Sequence, residues 1–150
     1  MEKDTAYIRF TLVADEWPVD EFTQKIGIQP TESYKLGDKY MRGYYERARF
    51  ETVWELKTER MKINYEIGED KAFFEKIMNQ LRPHIELINE YKHQYKLTPL
   101  FFAHYSFYWA QTPGMRIEPE VIEFAHQIGA YIDVYIDKDP ESYDEEVEIP

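Results

Sequence analysis

Between Tyr7 and Ala14 the chain alternates, with Ile8, Phe10, Leu12 and Ala14 on one side and Tyr7, Arg9, Thr11 and Val13 on the other, the period of a half-buried strand. Pro18 then opens the run VDEFTQKIG, in which proline suits the first turn of a helix, acids lie near the positive end of its dipole and Gly27 supplies the stop. ARFETVWELKT returns to period two, setting Phe50, Thr52, Trp54 and Leu56 against Arg49, Glu51, Val53, Glu55 and Lys57, and predicts a second strand with Trp54 as a core anchor. From Glu69 the spacing lengthens: Phe73, Ile77, Leu81, Ile85 and Ile88 recur at helical intervals, with Pro83 placed to kink or split the helix near Leu81 and Arg82. Leu100 to Trp109 is the most apolar stretch and predicts a central strand with both sides at least partly covered. After a turn at Thr112-Pro113-Gly114, a helix is predicted from Pro119 to Ile128 with Gly129 as its stop. A last strand follows in YIDVYID, Ile132, Val134 and Ile136 facing away from Tyr131, Asp133, Tyr135 and Asp137.

Two features organise these elements. Glu21-Phe22-Thr23-Gln24-Lys25-Ile26-Gly27 is echoed by Glu123-Phe124-Ala125-His126-Gln127-Ile128-Gly129, each behind a strand and a proline. Phe and Ile four residues apart pin one helix face to a sheet, and glycine permits a left-handed exit. The echo predicts an α+β two-layer sandwich with duplicated strand-helix-strand halves in the ferredoxin-like manner. Its sheet is expected to be mainly antiparallel, about four or five strands wide, with helices on one side and the other side open. The stretch Ile28 to Arg47, with turn chemistry at Gln29-Pro30-Thr31 and Gly37-Asp38, reads as a long irregular excursion. One domain over residues 1–137 is expected, followed by an acidic tail over 138–150.

Composition removes several chemistries. There is no cysteine, so disulfides, thiolate nucleophiles, iron-sulfur clusters and thiolate zinc sites are excluded. His84, His93, His104 and His126 show no metal-ligand spacing, and no metal or cofactor is expected; His104, in an apolar strand, would need a hydrogen-bond partner if buried. Walker, G-x-G-x-x-G and G-x-S-x-G motifs are absent. The net charge of −11 repels phosphate backbones and argues against nucleic acid and anionic membranes. No apolar run is long enough to cross a bilayer, and the charged start, Met1 to Thr5, lacks a following secretory core, so a cytoplasmic location is expected. The charge is uneven. Asp133 to Pro150 holds eight acids against Lys138, for −7, whereas Tyr34 to Phe50 carries +3.

The order YIRFTLVA, EFTQKIGIQPTESYKLGDKY, TVWELKT and EVIEFAHQIGAYIDVYI resembles a bacterial family catalogued only as domain of unknown function 4279. The carrying pieces are Ile26-Gly27-Ile28-Gln29-Pro30-Thr31, Gly37-Asp38, Trp54-Glu55-Leu56, Ile128-Gly129 and Asp133-Val134-Tyr135. None is a catalytic signature, and the resemblance implies a small stand-alone domain of unassigned activity.

Two candidate sites emerge from the residues. In the excursion, Lys35, Asp38, Lys39, Arg42, Tyr44 and Arg49 could hold a phosphate or planar ring. On the open sheet side, Arg9, Glu55, Asp133 and Tyr135 are expected together, with Glu51, Asp137 and either His104, Ser106 and Tyr108 or their alternates. Asp133 and Asp137 point the same way, with Glu51 or Glu55 as possible partners for a split carboxylate pair or a cation. Acidic charge and missing catalytic motifs lead to a non-enzymatic interaction module for a basic protein partner, in the manner of an immunity protein neutralising a toxin. The rival is a small-molecule or phosphate site, enzymatic or not, between the 34–50 excursion and the open face. A homodimer covering that face is the third reading.

Overall fold

The computed structural model describes residues 4–108 and 114–138. In chain order the elements are β1 (Thr5–Ala14), α1 (Val19–Ile26), β2 (Glu32–Tyr34), β3 (Lys39–Arg42), β4 (Tyr45–Ala48), β5 (Thr52–Lys57), β6 (Met61–Lys62), α2 (Glu69–Leu81), a 3₁₀ turn (Arg82–His84), α3 (Ile85–Tyr95), β7 (Thr98–Phe107), α4 (Pro119–Gln127) and β8 (Tyr131–Lys138). The main sheet runs β2-β5-β1-β7-β8, with β6 beside the start of β1. Among the described residues only the β7–β8 pair is parallel. The chain is an α+β sandwich with an open sheet.

The alternation in β1 is realised: Ile8, Phe10 and Leu12 are fully buried under the helices. β7 alternates more strictly than its composition suggests. Pro99, Phe101, Ala103, Tyr105 and Phe107 go into the core, and Leu100, Phe102 and His104 stand half-buried on the other face. Edge-to-face aromatic contacts tie the layers together, from Phe22 of α1 to Trp54 at 5.3 Å and from Phe74 of α2 to Phe101 at 5.5 Å. Each fully buried side chain of this size contributes about 1.5–3 kcal/mol. Pro83 lies in the 3₁₀ turn and splits the central helical stretch into α2 and α3.

The topology locates the ferredoxin-like relation more narrowly than the heptapeptide echo does. β1 and β2 are both antiparallel to β5, which lies between them. β5 and β7 are both antiparallel to β1, which lies between them in turn. These are two interleaved split β-α-β halves, β1-α1-β2 and β5-α2-α3-β7. The unit β7-α4-β8 is an addition at one edge. The echoed sequences therefore mark two helices of like exit, with Gly27 at φ 70° and Gly129 at φ 62°, rather than the two halves of the sheet.

Two expectations are corrected. The excursion is not irregular: Glu32–Tyr34 joins the sheet as β2, and β3 and β4 form a separate hairpin through the two-residue turn Gly43-Tyr44. Glycine at φ 65° in the first turn position allows that tight reversal. Phe50 does not share the buried face with Trp54, because β5 begins only at Thr52; Phe50 is 77% exposed. Gly114 is irregular, while Trp109, Thr112 and Pro113, like the tail over 139–150 and Met1 to Lys3, lie outside the described residues.

Candidate functional site

On the open face, register brings side chains of β5, β1, β7 and β8 into rows. Arg9 donates from Nη1 to Glu55 Oε1 at 3.2 Å, and its guanidinium lies over the Phe102 ring at 4.1 Å. Glu55 is buried, which pushes its carboxyl above the usual value, while the Arg9 hydrogen bond and charge pull the other way. One row on, Tyr7 stacks on His104 with centroids 4.3 Å apart and planes at 10°, and His104 stacks on Tyr135 at 5.2 Å and 13°. Lys57 and Arg60 lie over Tyr7. The rings stand side by side and occupy one another's faces, so the row braces the sheet. His104 is held below its usual pKa, chiefly by burial and then by the Arg9 charge, and its Nε2 is buried without a hydrogen-bond partner among the described residues.

The excursion residues do not gather with these. Lys35 ion-pairs with Asp20 of α1, and its amide donates to Asp38 Oδ2 at 2.8 Å, closing the Gly37-Asp38 turn. Arg49 is clamped between the rings of Tyr34 at 3.9 Å and Tyr40 at 3.8 Å, with Glu32 at 3.6 Å. Lys39 pairs with Glu46 across the hairpin at 3.5 Å. Arg42 and Tyr44 are exposed at the hairpin tip. Nor do the carboxylates pair. Asp133 on β8 and Glu55 on β5 are separated by β1 and β7, about 14 Å at the usual strand spacing, and Glu51 precedes β5. Among the described residues no group of three His, Cys, Asp or Glu side chains is arranged to hold a metal.

A concave site lies elsewhere, where the sheet ends between the N-termini of α2 and α4. Its volume is about 470 Å³, within the range of small-molecule pockets. Phe73, Tyr65, Tyr105 and Phe107 supply aromatic wall, and the 66–70 and 114–118 segments supply the rim. No sequence motif marks it, because its residues come from three separate stretches of the chain, 63–73, 105–107 and 114–118.

Residues 4–139 match the family model described as domain of unknown function (DUF4279). The chain belongs to the DUF4279 family. No curated protein and no solved structure matches it. The match takes in every element of the DUF4279 sheet, β8 included. No helix among the described residues is long and apolar enough to cross a membrane.

β8 is the outermost strand of the DUF4279 sheet and is paired only with β7 among the described residues. It is eight residues long, with Tyr131, Val134, Tyr135 and Ile136 exposed and Asp133 and Asp137 on the same side. At the other end of the sheet β2 is only three residues long.

Proposed function

We propose that the DUF4279 domain is a non-enzymatic interaction module that takes an extended basic segment of a partner protein alongside β8. The observation that carries this reading is the outer edge formed by β8, paired only with β7 among the described residues, with Tyr131, Val134, Tyr135 and Ile136 exposed and Asp133 and Asp137 four positions apart on one side. Unpaired N–H and C=O groups on such an edge are a template for a further strand. Asp133 and Asp137 repel a second copy and attract bases four positions apart on an incoming strand. The sequence beyond the strand adds six acids and no base over 139–150, which increases the attraction. A basic toxin or comparable effector is the partner class to test first.

The test is affinity capture from the native cell at low and high salt, with the Asp133→Lys/Asp137→Lys double variant run beside the unaltered chain. The reading expects a lysine- or arginine-rich protein that is retained at low salt, released at high salt and not retained by the double variant. A partner held equally by both chains at both salt levels contradicts it.

A further inference from the structure

The cleft between the starts of α2 and α4 is lined by four carboxylates, Glu66, Glu69, Asp70 and Glu118, against one base, Arg116. Two of the four are committed to the fold. Glu69 accepts from the amides of Asn64 and Tyr65, both at 2.6 Å, and Asp70 Oδ2 accepts from the Glu118 amide at 2.8 Å. The first two bonds hold the loop before α2, and the third occupies the backbone donor at the start of α4, so less is left there for an anion. Glu118 differs. It precedes α4 without capping it through its side chain, and its Oε1 is buried with no hydrogen-bond partner among the described residues. Arg116 is exposed and ion-pairs with none of the described residues, Glu118 included. A buried carboxylate oxygen left unpaired is costly unless a donor reaches it.

The walls suit the body of such a donor. Phe73, Tyr105 and Phe107 are buried at the back of the cleft, with the Tyr105 and Phe107 rings stacked at 6.0 Å. Tyr65 forms part of the wall in a left-handed backbone conformation, φ 61°, held by Glu69 on its amide and by Asp4 on its hydroxyl. A ring face beside a carboxylate attracts a cation twice over. We propose that this cleft binds an alkylammonium ligand, a primary amine on an aliphatic chain, with the nitrogen donating to Glu118 and the chain lying against Phe73, Tyr105 and Phe107. The field in the cleft agrees. Burial, with the charges of Asp70 and Glu69 behind it, pushes the Tyr105 hydroxyl up to about 12.

Three probes of equal length separate the possibilities by charge alone: pentylamine, pentanol and pentanoate, titrated into the full chain at neutral pH and followed by amide NMR shifts. Pentylamine is expected to bind and to move the signals of Tyr65, Phe73 and Tyr105, with pentanol at least tenfold weaker and pentanoate weaker still. Glu118→Gln, which keeps the backbone bond to Asp70, is expected to weaken pentylamine roughly tenfold or more. Comparing 1,4-diaminobutane with Nα-acetyl-lysine amide then tells a free amine from a protein side chain by which binds more tightly. Silence from pentylamine at about 10 mM, equal binding of pentanol or pentanoate, or an unchanged affinity in Glu118→Gln overturns the proposal. The unaltered chain alone decides the first two outcomes.

Discussion

The Arg9 guanidinium reaches the Glu55 carboxylate from the neighbouring strand, two positions out of register, since Glu55 lies opposite Thr11 and Arg9 opposite Lys57. The pair sits on the sheet face away from the helices, yet Glu55 is buried there among its neighbours. Removing the base should therefore cost more than removing the acid. Arg9→Met leaves a buried carboxylate alone and is expected to destabilise by about 1–3 kcal/mol, less than for a fully buried pair because the Arg9 side chain is 31% exposed. Glu55→Gln is expected to cost less at neutral pH. Urea denaturation of the two variants checks the order.

The same carboxylate gives a pH signature. The folded pKa of Glu55 is raised above its ordinary 4.5, so its contribution to stability is fully present below that value and is lost as pH rises through the folded pKa. Unfolding free energies of Glu55→Gln and the unaltered chain should move in favour of the variant between about pH 4 and about pH 7. A difference that stays constant, or moves the other way, counts against a desolvated Glu55.

His104 carries the opposite sign. Its pKa is lowered from 6.5, so the unfolded chain binds the proton more readily and stability falls as pH drops through the unfolded pKa. His104→Phe keeps a flat ring between Tyr7 and Tyr135 and removes the titration. Its stability relative to the unaltered chain should improve on going from about pH 7.5 to about pH 5, as read by urea melts at both values.

The two glycine exits separate backbone strain from crowding. Gly27→Ala meets nothing within 4 Å but sits at φ 70°, and should cost about 1–2 kcal/mol. At Gly129 a methyl group would come within 2.5 Å of Lys92 Nζ, which donates to the Ile128 carbonyl at 3.0 Å. Gly129→Ala is expected to cost more, and the excess should vanish in a Lys92→Ala background. Thermal denaturation of the four variants checks this.

Period and punctuation made much of the fold legible. Ile8, Phe10 and Leu12 announce a buried strand face, and Gly27, Pro83 and Gly129 mark where helices end or break. Strand order was not legible, because β5 enters between β1 and β2 by pairing across a long sequence interval that no local pattern records. Phe50 misled because alternation continues past the point where β5 begins. Of the open-face residues, Arg9 and Glu55 met as parity suggested. The Tyr7–His104–Tyr135 stack depends on cross-strand register and was invisible. The cleft was invisible for the same reason: Glu118 and Tyr105 are neighbours only in three dimensions.

Hydrogen exchange along β8 tests the proposed function most directly. The probe is an eight-residue peptide alternating lysine and valine, matched in length to β8, with a glutamate-valine peptide as control. The account expects the β8 amides not bonded to β7 to gain protection with the lysine peptide and lose it on adding salt. Protection that appears only elsewhere, or equally with the glutamate peptide, would contradict it.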